Sequence, residues 1–141
     1  MLSRRGFLKA SLGLTGLALL SGCRHAVQIG SPTLIFRQGE TGCGTGDGES
    51  EIVGAVGTIR FSGVVTTPDP CYRLEAMLES ANDLLIVQIT ARSSLNPNEF
   101  CVKCIGRAAY SGEITGLKAG RYRVRILHGE RQIVEREISV L

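Results

Sequence analysis

Arg121-Tyr122-Arg123-Val124-Arg125-Ile126-Leu127-His128 runs into the turn His128-Gly129-Glu130-Arg131 and then into Gln132–Leu141. Tyr122, Val124 and Ile126 alternate with Arg121, Arg123 and Arg125. A period of two puts alternate side chains on opposite faces of a strand, whereas a helix would scatter both sets around its circumference. Gly129 suits a tight turn. The closing strand sets Glu135 and Glu137 where an adjacent antiparallel strand can pair them with the arginines. A hairpin with one apolar face and one charged face follows.

The same grammar extends upstream. Glu51–Val56 and Thr58–Thr67 read as strands separated by Gly57, the second dented by Gly63. In Tyr72–Glu79, Tyr72, Leu74, Ala76 and Leu78 alternate with Arg73, Glu75, Met77 and Glu79. Leu84–Arg92 is apolar and β-branched. Phe100–Ile105 and Arg107–Ile114 read as a cysteine-bearing strand region broken at Gly106, and Thr33–Arg37 opens the series after Pro32. Between them lie turn and loop signals. Gln38–Ser50 carries Gly39, Gly42, Gly44, Gly46 and Gly48. Pro68-Asp69-Pro70 is a stiff corner, because a residue before proline avoids helix. Ala81-Asn82-Asp83 is a turn, and Ser93–Glu99 holds Asn96-Pro97-Asn98. About seven or eight short strands with turns every ~8–12 residues predict an all-β, antiparallel sandwich, with a small barrel as the alternative.

Leu117-Lys118-Ala119-Gly120-Arg121-Tyr122-Arg123-Val124 resembles the L-x-x-G-x-Y-x-V stretch of immunoglobulin-like and fibronectin-like sandwiches. The resemblance implies that Leu117 plugs the core, that Gly120 turns the chain into a strand, and that the Tyr122 hydroxyl ties back to the upstream backbone. It covers about eight residues and is architectural. The order of Pro70-Cys71-Tyr72, a later cysteine and this stretch also resembles small bacterial envelope lipoproteins.

The N-terminus reads as a delivery signal. Residues 1–23, MLSRRGFLKASLGLTGLALLSGC, have a basic start, an apolar stretch and small residues before Cys23. The apolar stretch, about Ala10 to Leu20, is shorter than the roughly 20 residues a membrane-spanning helix needs. Ser3-Arg4-Arg5-Gly6-Phe7-Leu8-Lys9 resembles the twin-arginine export signal, with Arg4, Arg5, Phe7, Leu8 and Lys9 on its consensus. Such a signal is an address read by a receptor. Leu20-Ser21-Gly22-Cys23 resembles the lipobox, which implies a diacylglycerol on the Cys23 thiol and cleavage just before it. The expected organisation is a signal peptide at 1–22, a lipidated tether at 23–31 and a sandwich at 32–141. The implied partners are the twin-arginine machinery, lipoprotein signal peptidase and the membrane, with a protein partner at the envelope left open. The implied location is lipid-anchored on the cell or outer membrane, facing the periplasm or exterior. Arg24, rather than Asp, points to the outer membrane by resemblance to enteric lipoproteins.

Charge and cysteine counts agree with that division. Three of the 16 basic residues, Arg4, Arg5 and Lys9, precede Cys23, while all 13 acidic residues follow it. The mature chain is therefore neutral, which argues against nucleic-acid binding. Of the 5 cysteines, giving Cys23 to lipid leaves Cys43, Cys71, Cys101 and Cys104. An even set in an exported chain predicts disulfides. The favoured pairing joins Cys71 to one of Cys101 and Cys104, and Cys43 to the other. A bridge within Cys101-Val102-Lys103-Cys104 would need a turn, because an extended strand holds those Cα atoms about 10 Å apart.

Other chemistries are weaker. A thiol-redox site at Cys101-x-x-Cys104 lacks the helix start that lowers a thiolate pKa, and a four-cysteine zinc site would need all sulfurs to converge. Gly42–Gly48 lacks the Lys-Ser/Thr of a phosphate loop, and Asp47, Glu49 and Glu51 lack the ligand spacing of a calcium loop. His25 and His128 have no sequence neighbours that suggest a catalytic triad. The arginine stripe reads as a solvated, acid-paired face, with an anionic-ligand surface as the other option. The expectation is a non-enzymatic, cofactor-free lipoprotein that binds or scaffolds, with a metal or thiol-redox accessory protein as the alternative.

Overall fold

The computed structural model describes residues 31–45 and 50–141. The export residues Arg4, Arg5, Phe7, Leu8 and Lys9, the lipidation residue Cys23, His25 and the acids Asp47 and Glu49 lie outside the described residues. Eight strands make up the described chain: β1 (Thr33–Cys43), β2 (Glu51–Gly54), β3 (Ile59–Thr67), β4 (Tyr72–Ala81), β5 (Leu84–Ser93), β6 (Gly106–Thr115), β7 (Gly120–His128) and β8 (Arg131–Val140). They form two four-stranded sheets, β1-β6-β3-β2 and β4-β5-β7-β8. This is the β-sandwich expected from the alternation.

The inner faces carry the apolar half of each period. Ile59, Phe61 and Val65 of β3 and Ala108, Tyr110 and Ile114 of β6 face Leu85, Val87 and Ile89 of β5 and Val124 and Ile126 of β7. Each Val, Leu, Ile or Phe among them contributes roughly 1.5–3 kcal/mol when buried. Two aromatic–glycine exchanges set the register between β3 and β6. Phe61 lies opposite Gly112, and Gly63 opposite Tyr110. A Cβ on Gly112 would strike the Phe61 ring, and one on Gly63 would strike the Tyr110 hydroxyl. Gly63 therefore does not interrupt the strand. It makes the space that Tyr110 fills.

The L-x-x-G-x-Y stretch behaves as the resemblance implies. Leu117 is buried, Gly120 opens β7 at positive φ, and the Tyr122 hydroxyl donates to the Lys118 carbonyl at 2.9 Å. The sandwich is immunoglobulin-like in its layers and in this tyrosine corner. Its strand order differs from the ABED and CFG sheets of constant-type immunoglobulin domains.

Three expectations are corrected. The first concerns direction, since β5 and β7 pair in parallel while the other pairs are antiparallel. After β5 the chain crosses to the other sheet, descends as β6 and returns as β7, so β7 must run with β5. The second concerns Gln38–Ser50. Its first part is strand, because β1 continues to Cys43, paired with Gly106, and a bulge between Gln38 and Thr41 absorbs Gly39 and Glu40. The third concerns Phe100–Ile105, which forms no strand. Its two cysteines are tied to different sheets, so it cannot follow either ladder.

The path leaves two distinct poles. At one, the chain enters at Thr33 opposite Thr115, with the C-terminal Leu141 bonded to Ala55 and Gly57. At the other lie Cys43, Gly106, Tyr72 and Ser93. The sheet edges are also joined. The Gln38 amide donates to Tyr72 O at 3.1 Å and accepts from Leu74 N at 2.8 Å, linking β1 to β4.

Gly112→Ala is expected to lower the unfolding free energy by about 1–3 kcal/mol through overpacking against Phe61. A methyl group at Gly42 would meet nothing within 4 Å, so Gly42→Ala should change stability by no more than about 0.5 kcal/mol. Urea unfolding of both variants measures the difference.

Candidate functional site

The four cysteines gather at the second pole. Cys43 bonds Cys104 and Cys71 bonds Cys101, with Cα separations of 5.7 and 6.1 Å. Both lie in the range a disulfide requires. This is the favoured pairing. The motif contains a tight three-residue turn at 102–104, with Cys104 N donating to Val102 O at 3.0 Å. Yet it sends Cys101 toward the start of β4 and Cys104 toward the end of β1. The two sulfurs of the C-x-x-C motif thus belong to different bridges.

Polar contacts fix the ground beneath this segment. Asp69 Oδ1 accepts the Cys71 N–H at 2.8 Å, and the Asp69 carbonyl accepts the buried Thr67 hydroxyl at 2.6 Å. Gly106 permits that approach, since a Cβ there would strike the Asp69 carbonyl and the Thr67 hydroxyl. Ser94 donates to Cys71 O through both its N–H, at 3.2 Å, and its hydroxyl, at 2.7 Å. Gly44 N donates to Ile105 O at 3.0 Å. The stretch from Ser94 to Ile105 is therefore held by backbone bonds at both ends and by two bridges between them. Three of its apolar side chains nevertheless point outward: Phe100 is 99% exposed, Val102 67% and Ile105 52%.

Asp69, Cys71 and Cys101 bring three potential metal-ligand atoms within 4.8 Å of one another. Asp69 Oδ1 is 3.4 Å from Cys101 Sγ. A disulfide sulfur carries no proton, so this is an O···S contact rather than a hydrogen bond. It is also no thiolate, so metal ligation there would first require reduction. The same holds for a four-cysteine zinc site.

A second constellation carries no local motif. His128, expected at a turn, ends β7 and places Nε2 2.8 Å from the Tyr110 hydroxyl, which lies 3.3 Å from Ser50 Oγ. The His128 ring meets the Tyr110 ring edge-on at 5.5 Å. The three residues come from separate parts of the chain, so the sequence alone does not bring them together. The only clue is Gly63, whose missing side chain leaves room for a hydroxyl. The tyrosine stands between serine and histidine, so this is not the nucleophile–base contact of a hydrolase. It ties the two sheets together through a buried tyrosine oxygen.

The arginine stripe is acid-paired as expected. Arg121 reaches Glu137 at 3.4 Å, while Arg123 and Arg125 share Glu135 at 3.6 and 3.3 Å. Such largely exposed pairs contribute about 0–1 kcal/mol each. Searches of protein-family models, curated proteins and solved structures find no match for the chain.

Replacing Cys71 and Cys101 together by alanine should lower stability by about 2–4 kcal/mol. The loop closed by Cys43–Cys104 contains the Cys71–Cys101 loop. Each bridge shortens the loop that the other closes, so removing all four cysteines should cost more than the sum of the two single-pair losses, by about 0.6 kcal/mol for a halved loop, as denaturant unfolding of the three variants would show.

Proposed function

We propose that the chain is an exported lipoprotein, held at an envelope membrane by lipid on Cys23, whose sandwich serves as a non-catalytic binding or scaffold module. The observation that supports this best is the pairing of Cys43 with Cys104 and Cys71 with Cys101. It accounts for every cysteine but the one in the lipobox-like Leu20-Ser21-Gly22-Cys23. Structural disulfides belong to oxidising compartments outside the cytoplasm. The charge division at Cys23 supports the same reading. A twin-arginine route suits a domain that folds before export, with its bridges closing after it crosses.

The alternative, a metal or thiol-redox accessory protein, draws on the closeness of Asp69, Cys71 and Cys101. It requires free thiols or bound metal in the isolated protein, and a thiol titration with metal analysis separates the two. The anchoring reading expects Cys23→Ala to abolish the lipid mass increment and release the chain from the membrane fraction. Arg4→Lys with Arg5→Lys should leave unexported precursor in the cytoplasm. Unchanged mass and membrane retention of Cys23→Ala would refute it.

A further inference from the structure

We infer that the free edge of β4 (Tyr72–Ala81) pairs antiparallel with the β4 of a second copy of the chain, across a two-fold axis at Ala76 that sets Arg73 of each copy against Glu79 of the other. The inference goes beyond the anchoring reading and does not depend on it.

The state of the sheet edges is the first ground. The edge strands are β1 and β2 in one sheet and β4 and β8 in the other. Between β2 and β8 the side is closed: Leu141 N donates to Ala55 O at 3.2 Å, Gly57 N to Leu141 O at 3.1 Å, and a Cβ on Gly54 would strike the Ser139 carbonyl. β8 is also bulged, with Ile133 left over opposite the step from Ile126 to Leu127. β1 is bulged at Gly39 and Glu40. Bulges and covered or short strands keep an edge from pairing with another chain. β4 has none of these devices. It pairs with β5 over all 10 of its residues without a shift.

The backbone decides which residues pair. Tyr72 O and Leu74 N turn away from β5, because the Gln38 amide holds both. Strand groups alternate in direction, so the N–H and C=O of Ala76, Leu78 and Ser80 turn the same way. On that side β4 has no strand neighbour among the described residues. A two-fold axis on a residue of β4 sets these even-numbered residues opposite one another, as an antiparallel ladder requires. Gln38 fills the place of one residue of the missing strand, and gives way to Leu78 of the second copy when the ladder forms.

Charge selects the occupant and the register. On the outer face of β4, Glu75 is paired with Arg92 at 2.9 Å. Arg73 and Glu79 are exposed and form no ion pair among the described residues. Arg73 lies instead opposite Arg92, a like-charge neighbour. An axis at Ala76 sets Arg73 against Glu79 twice, sets Leu74 against Leu78 twice on the inner face, and opposes no two acids. An axis at Met77 would set Glu75 against Glu79. One at Glu75 or Glu79 would set an acid against itself, and one at Leu78 would carry Arg73 past the end of the strand. Axes nearer either end run the ladder into Pro70 or into the turn at Asn82. The edge is thus complementary to itself, as a two-fold interface must be.

The test uses the full chain in its own cells, with benzoylphenylalanine in place of Met77, which is 66% exposed, or, separately, of Val53, which is 50% exposed on the other sheet. Irradiation should join position 77 to a second copy through the peptide that holds Glu75, and should give no such dimer from position 53. Arg73→Glu should lower the dimer yield about tenfold, because two attractive pairs become repulsive. Glu79→Arg should do the same. Both changes together should restore the yield, which a loss of folding in either single variant would not allow. An adduct of position 77 with lipid or with another polypeptide, a dimer joined outside β4, or no adduct overturns the proposal. So does an unchanged yield in the single variants or a double variant that stays monomeric.

Discussion

The exchange of aromatic rings for glycine hydrogens between β3 and β6 is the constraint on which the remaining structure depends. Phe61 lies against Gly112 and Tyr110 against Gly63, so the pair fits in one register only. A slip by one residue would also turn every inward side chain outward. Once this register is set, Tyr110 projects across the interior toward His128 of the facing sheet, and Phe36 packs 5.9 Å from the same ring. The sheets meet through a tyrosine that is apolar on its faces and satisfied at its tip, as buried tyrosines usually are.

The parallel pairing of β5 with β7 has a consequence beyond topology. It arises because the chain leaves one sheet at the end of β5, crosses as the stapled segment and descends the other sheet as β6. That crossing is the longest connection among the described residues. It also carries the exposed Phe100, Val102 and Ile105 outside both ladders. Disulfides take over there from the hydrogen bonds a strand would have made.

Much of this was legible in the sequence, because period-two alternation is a local signal. Tyr122, Val124 and Ile126 against Arg121, Arg123 and Arg125 marked out β7, and Glu135 and Glu137 its partner acids. Leu117, Gly120 and Tyr122 marked the corner. Long-range features were less visible. Phe100–Ile105 has the composition of a strand, and only the pull of its cysteines toward two sheets shows why it is none. Gly39–Gly42 has the composition of a loop, yet pairing with β6 and a bulge keep it in β1. His128 and Ser50 meet at Tyr110 through the fold alone, and residue spacing cannot encode that meeting. Disulfide pairing sat between these cases. Strand geometry disfavoured Cys101–Cys104, and although the segment bends at 103–104 instead of running extended, Cys71 and Cys43 beside it took the two sulfurs.

The claim on which the account turns is a sandwich that commits Cys43, Cys71, Cys101 and Cys104 to two nested bridges, leaving Cys23 outside them. Peptide mapping of the protein isolated from its own cells under non-reducing, thiol-blocked conditions tests that claim most directly. Linked peptides joining Cys43 to Cys104 and Cys71 to Cys101, with Cys23 in neither, are the expected result. A Cys101–Cys104 bridge, a linkage through Cys23 or blocked free thiols at the four positions would contradict it.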